Sequence, residues 1–180
     1  MSGTIKIIKA DITSLDTDAV VNAANEYLAE GGGVCGAIFD AAGSRELSKA
    51  CDAYGHCDTG SAVITPGFKL KAKYIIHAVG PRWTGGSKGE REKLKSAYKK
   101  ALELACQYHC KSIGFPLISA GIFGYPVSLA WEDAAEACEE FFAEYDDCRI
   151  SIVFAVLSDE IYAVGEKILR QQNSETDPSN

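Results

Sequence analysis

No apolar run in this 180-residue chain reaches the roughly 20 residues that a membrane-spanning helix needs. Its first residues, Met1-Ser2-Gly3-Thr4, lack the charge and apolar stretch of a secretory leader. The expectation is a soluble, cytoplasmic protein with no membrane partner. Excess positive charge is missing too: 18 basic against 25 acidic residues leave a net charge of −7. Duplex nucleic acid needs a basic face to displace its counterions, so no long nucleic acid is expected as a partner. The basic run Lys88 to Lys100 reads as the solvated face of a helix. Among the seven cysteines (Cys35, Cys51, Cys57, Cys106, Cys110, Cys138 and Cys148) there is no CxxC pair and no disulfide-framework spacing. Reduced, buried thiols are therefore expected. Cys51, His56 and Cys57, or Cys106, His109 and Cys110, come nearest to a metal set. Neither has a matching second half, so no metal is expected. Two nucleotide fingerprints are absent as well. No Gly-Lys-Ser/Thr follows a glycine-rich turn, and no G-x-G-x-x-G is followed by an acid about 20 residues on.

What is present alternates strands with helices. Strand patterns cover Thr4 to Lys9, Ala19 to Ala23, Ser61 to Thr65, Lys73 to Val79, Ser112 to Ser119 and Arg149 to Val156. Helical patterns cover Val34 to Ala42, Ser44 to Ala53, Glu90 to His109, Val127 to Tyr145 and Asp159 to Arg170, the last with Ser158 as its N-cap. This order predicts an α/β fold: a three-layer α/β/α sandwich around a mixed, mostly parallel sheet of about six strands. With no internal repeat and no linker, residues 1–170 read as one domain, and the polar residues 171–180 as a disordered tail.

The chemistry concentrates in two glycine-rich turns. Gly31-Gly32-Gly33-Val34-Cys35-Gly36 opens a helix, where unpaired N–H groups and a partial positive charge suit a phosphate. Ser119-Ala120-Gly121-Ile122-Phe123-Gly124-Tyr125-Pro126 follows a strand and precedes a helix, and its amides can wrap the other side of a diphosphate. In open α/β sheets ligands sit beyond the carboxyl ends of the strands. Both turns, together with Asp11-Ile12-Thr13 and Leu157-Ser158-Asp159, fall at such ends.

These residues, with Asn22-Ala-Ala-Asn25, Cys57-x-Thr59-Gly60 and Ile75-Ile-His-Ala-Val-Gly-Pro81, resemble the macrodomains, ADP-ribose-binding α/β/α modules. The resemblance runs from about Ile5 to Leu169 and is closest along its length to the MacroD-type hydrolase branch. It implies that ADP-ribose, free or on a modified protein, is the partner, with no cofactor and a monomeric state. Asp11 would accept from the adenine amino group while the Ile12 amide reads a ring nitrogen. Gly31, Gly32, Gly33, Val34 and Cys35, with Ser119, Ala120, Gly121, Ile122 and Phe123, would hold the diphosphate and adjoining sugar. Asn25 would bond the distal ribose, and Phe123 would pack against it. Asn22 joins the ligand set mainly by fixing its loop. Leu157 or Ser158 stands where an aromatic platform often follows the last strand. His77, mid-strand, reads as a satisfied core histidine.

The resemblance breaks where catalysis is concerned. The hydrolase branch carries an Asp and, four residues on, a His at the positions of Cys35 and Phe39. Neither residue here is a general base at ordinary pKa. Asp40, about 100° further round the helix from Phe39, faces elsewhere. The string Gly-Gly-Gly-Val-Cys-Gly is similar to the macrodomains of alphavirus replication proteins, a group associated with removing ADP-ribose from carboxylates. The expected activity is release of mono-ADP-ribose from Asp or Glu, with deacetylation of O-acetyl-ADP-ribose by related ester chemistry. Water held by the substrate's phosphate and Asn25 would attack, with Asn25, Gly33 and Phe123 at the reacting end and Cys35 a small apolar filler. The alternative is a non-catalytic ADP-ribose reader.

Overall fold

The computed structural model describes residues 3–176, and side chains through residue 172. Six strands form one sheet: β1 (Thr4–Lys9), β2 (Ala19–Ala24), β3 (Ala62–Pro66), β4 (Tyr74–Val79), β5 (Ser112–Phe115) and β6 (Ser151–Val156). Five α-helices connect or flank them: α1 (Gly33–Ala42), α2 (Ser44–Asp52), α3 (Glu90–Gln107), α4 (Val127–Glu144) and α5 (Asp159–Thr176). The sheet order is β1-β6-β5-β2-β4-β3, parallel except for the β3–β4 hairpin.

Alternation along the inner strands sends side chains to two cores, as expected of a sheet covered on both faces. In β2 and β4, Val20 and Ile75 pack with Ile38, Phe39 and Leu47 of α1 and α2. Their neighbours Val21 and Ile76 pack with Leu94 and Tyr98 of α3 and Trp131 and Phe141 of α4. Helices α1 and α2 form one layer; α3, α4 and α5 form the other. No helix among the described residues is long and apolar enough to cross a membrane.

The elements depart from the sequence expectation in three places. Strand β5 ends at Phe115 rather than Ser119. Pro116 has no N–H for the ladder, and the chain turns instead onto the buried Tyr98 hydroxyl, which receives the Ile118 amide at 2.9 Å. Helix α5 continues past Arg170 to Thr176, into the stretch read as a tail, because no Gly or Pro stands between Arg170 and Pro178 to stop its backbone ladder. Residues 177–180 of that expected tail lie outside the described residues. Finally, Cys106 and Cys148, expected as free thiols, form a disulfide with Cα atoms 6.3 Å apart. The end of α3 and the loop after α4 are brought together by tertiary packing, which no local pattern announces. The other five cysteines are free and buried.

The parallel topology gathers the carboxyl ends of β1, β2, β4, β5 and β6 along one edge of the sheet. Every loop singled out in the sequence leaves from that edge.

Candidate ligand site at the carboxyl edge of the sheet

The two glycine-rich turns face each other. A Cβ placed on Gly32 would lie 3.4 Å from Ile122 Cδ1. The first turn of α1 leaves the amides of Gly33, Val34 and Cys35 without intrahelical acceptors, the first helical bond running from Gly36 N to Gly32 O. Across from them, the amides of Gly121, Ile122 and Phe123 have no acceptor among the described residues. Gly33 holds φ +58°, a conformation that suits glycine. Gly36 is constrained differently: a Cβ there would stand 2.5 Å from the Gly31 carbonyl oxygen, so the loop lies directly against α1.

One cleft of about 520 Å³ opens on the β1–β6 side of this pair of turns. Its walls are mainly apolar (Ile12, Val34, Ala155, Val156, Leu157 and Ile161), with Asp11 as its one carboxylate. Gly33, Ala120 and Gly121 join it to the amides. Asp11 caps the short 3₁₀ turn Ile12–Ser14, its Oδ1 accepting from Thr13 N at 2.9 Å and Thr13 Oγ1 at 2.7 Å. Oδ2 accepts no hydrogen bond among the described residues. Leu157 is 74 % exposed and lies at the rim of the cleft. Behind it, Ser158 Oγ accepts from Ile161 N at 3.3 Å and caps α5 as expected.

A second cavity of about 550 Å³ opens on the β4 side, lined by Asn25, Pro81, Arg82, Thr84, Lys93 and Phe123 among others. Asn25 is more committed than the sequence suggests. Its Oδ1 accepts from the amides of Tyr27 and Ala29, both at 3.1 Å, and its Nδ2 donates to Ala29 O at 2.9 Å. That leaves one Nδ2 hydrogen without an acceptor among the described residues. Asn22, counted in the ligand set, lies behind the site: it is 1 % exposed and its Nδ2 donates to His77 Nδ1 at 3.0 Å. The strand alternation that buries Val20 on the α1 side buries Asn22 there as well.

His77 is fully buried, with Thr65 Oγ1 3.0 Å from its Nε2. Burial lowers its pKa from 6.5 to about 4, so it stays neutral and structural. Cys35 is buried, its Sγ 3.6 Å from Ala29 O. Burial pushes its thiol above the ordinary 9.0 despite hydrogen bonds at Gly31 and Asn22, which gives it a filler's surroundings rather than a nucleophile's. Phe39 is buried in the α1–α2 core, and Asp40 is exposed and lines neither cavity. Ser119 is buried with φ +68°, and its Oγ has no hydrogen-bond partner among the described residues. Left-handed backbone at a non-glycine residue, held by Tyr125 N donating to Ser119 O at 2.9 Å, marks the turn as over-determined by its surroundings.

The cysteine–histidine sets weighed as metal sites do not assemble. Cys51 Sγ lies 3.8 Å from His77 Nε2, whereas His56 Nε2 pairs with Asp58 Oδ1 at 2.8 Å.

Several supporting residues were not anticipated. Trp83 N donates to Phe123 O at 2.8 Å, and its ring meets Tyr125 edge-on at 4.8 Å between centroids. The Tyr125 hydroxyl donates to Asp133 of α4 at 2.5 Å. Glu90, buried at the start of α3, accepts from the amides of Thr84, Gly86 and Lys88 at 3.2, 2.6 and 2.6 Å. Removal from water pushes its carboxyl up and the three amides pull it down further, leaving it below the usual range. An acid in the first turn of a helix, a few residues after Gly85-Gly86, is the signal in sequence that could have identified this knot.

The edge of the sheet thus presents an apolar slot with one carboxylate, two facing sets of N–H donors, and a polar cavity. That succession fits a flat heterocycle, a diphosphate and a sugar in line. The family model for the Macro domain matches residues 21–138. A macro domain-containing protein of Chlorobaculum tepidum is 48 % identical over 165 residues, covering 92 % of this chain and 95 % of its own. A Salmonella newport protein named O-acetyl-ADP-ribose deacetylase is 43 % identical over 179 residues, covering 97 % and 99 %. The solved Oceanobacillus iheyensis macrodomain with ADP superposes with a TM-score of 0.89 at 37 % identity, covering 97 % of this chain and 94 % of that one.

Proposed function

This chain belongs to the macro domain family, and from that premise we propose that it binds ADP-ribose and hydrolyses mono-ADP-ribose from Asp or Glu side chains. Deacetylation of O-acetyl-ADP-ribose, the activity in the name of the Salmonella relative, is related ester chemistry in which water attacks the acetyl carbonyl instead and acetate leaves. The observation that carries this reading is the approach of Gly32 to Ile122, with unpaired amides on both turns. Adenine occupies the apolar cleft against Asp11 Oδ2 and the Ile12 amide. The diphosphate lies between the turns. The distal ribose enters the second cavity between Asn25 and Phe123.

Hydrolysis on this surface relies on position rather than on a protein base. Cys35 holds its proton, and the Glu90 carboxylate is already taken by three amides. Water held by a diphosphate oxygen and the remaining Nδ2 hydrogen of Asn25 adds to the anomeric carbon. The bond from that carbon to the carboxylate oxygen breaks, the carboxylate leaves with the electron pair, and the water's proton passes through the phosphate to solvent. A carboxylate is a good leaving group, so orientation supplies much of the acceleration. The same buried, protonated Cys35 also favours a second reading, a binding module without turnover. Incubation with a protein ADP-ribosylated on Glu separates the two. Release of ADP-ribose at a rate above the buffer control supports the hydrolase, and tight binding without release supports the module.

A further inference from the structure

The second cavity differs in charge from the surface around it. The chain as a whole carries −7, and the other cations on the outer face of α3 are already matched by acids. Lys95 reaches Glu136 and Glu140 at 3.1 and 2.6 Å, Arg91 reaches Asp133 at 3.1 Å, Lys99 pairs with Glu140, and Lys100 lies 3.7 Å from Glu103. Arg82, Lys88 and Lys93 line the cavity, are exposed, and make no ion pair among the described residues. The two acids at the cavity are engaged elsewhere: Glu90 by the amides of its own loop, and Glu26 by Thr59 N at 3.3 Å and by the neighbouring His56 at 3.8 Å.

The Arg82 side chain and the loop that carries Lys88 are also held in place. The Arg82 guanidinium rests over the Phe123 ring at 4.6 Å. The next residue, Trp83, is bonded to the Phe123 carbonyl, and the Lys88 amide is tied to Glu90. A carboxylate side chain loses its charge when it is ADP-ribosylated. Cations beside the linkage therefore find their partners in the residues flanking it.

We propose that this cavity receives the polypeptide that carries the ADP-ribosyl group, and that Arg82, Lys88 and Lys93 select targets with acidic residues flanking the modified side chain. This rests on the ADP-ribose reading above. Arg82, over the ring that packs on the distal ribose, is the specificity-determining residue nearest the linkage.

The test uses the full chain and two synthetic peptides carrying ADP-ribose on a glutamine amide, which is not an ester. One peptide has Asp and Glu flanks, the other Ser and Asn. Free ADP-ribose is titrated alongside. At low salt the acidic peptide is expected to bind about tenfold more tightly than the neutral one, as three exposed charge pairs of modest strength allow. That margin shrinks at high salt because the pairs are screened. The triple variant R82Q/K88Q/K93Q brings the two peptides to within about twofold of each other, whatever its own affinity for free ADP-ribose, and its unfolding midpoint stays close to wild type. Equal binding of both peptides by wild type, or a preference that survives in the triple variant, overturns the proposal while leaving the ADP-ribose reading intact. Failure of wild type to bind free ADP-ribose overturns both.

Discussion

Gly36→Ala separates ligand grip from stability, because Gly36 lies against the Gly31 carbonyl, behind the turn proposed to hold the diphosphate. In the interior of α1 the substitution gains about 1 kcal/mol of helix propensity. Against this, the new Cβ would stand 2.5 Å from the Gly31 carbonyl oxygen, and reaching 3.0 Å needs a shift of about half an ångström. The obstacle is backbone, so a rotamer change does not relieve it. The turn Gly31 to Gly33 is exposed and bears no side chains, so it is the part that gives way. The amides of Gly32, Gly33 and Val34 then move off their positions. Hydrogen bonds to a charged group are worth about 1.5–3 kcal/mol each, so losing one weakens ADP-ribose binding roughly 10- to 100-fold. Stability stays within about 1 kcal/mol of wild type, since propensity gain and local strain offset each other. Calorimetric titration with ADP-ribose and urea unfolding measure the two quantities. Unchanged affinity in a folded variant refutes the idea that this turn aims its amides at the ligand. A stability loss above about 3 kcal/mol refutes the idea that the turn yields.

Three further outcomes follow from the same geometry. Asn25→Ala removes the acceptor for the Tyr27 and Ala29 amides as well as the remaining Nδ2 hydrogen, so it lowers turnover of ADP-ribosyl-glutamate by about 10²-fold and also weakens ADP-ribose binding; intact turnover would remove Asn25 from the reaction. The buried His77 has its pKa lowered from 6.5 to about 4, so the unfolded chain binds a proton that the folded chain refuses between those values. Its contribution is fully present above pH 6.5 and is lost as pH falls toward 4, by about 3 kcal/mol in total; urea unfolding of wild type and His77→Gln across that range checks this, and identical slopes would contradict it. The Cys106–Cys148 disulfide closes a loop of 42 residues, which corresponds to about 4 kcal/mol of chain entropy. Cys106→Ser is expected to lower stability by about that much under oxidising conditions and hardly at all in reductant, and an equal effect in both would mean that the bond does not form.

Much of the architecture is legible in the sequence, because strands such as Ala19–Ala24 and Tyr74–Val79 are nearly all apolar and sit between turn signals. A parallel sheet then puts every loop at a strand's carboxyl end on one edge, and the facing of Gly32 and Ile122 follows from topology. Properties set by distant partners are not legible in this way. The disulfide depends on where α3 and the loop after α4 meet. The early end of β5 depends on Tyr98 waiting for the Ile118 amide. Asn25 looks like a free ligand contact because its competitors are backbone amides, which carry no sequence signature. Arg82 carries no signal in the sequence, since nothing local says that its guanidinium lies on Phe123.

The most direct measurement of the central claim is amide chemical shift during titration with ADP-ribose. If peptide N–H donors of the two turns hold the diphosphate, the resonances of Gly32, Gly33, Val34, Gly121, Ile122 and Phe123 move together and saturate at a single Kd, and adenosine alone leaves them largely in place. Should ADP-ribose bind while those six resonances stay still, or should adenosine shift them as far, the diphosphate is not held by main chain at this edge of the sheet.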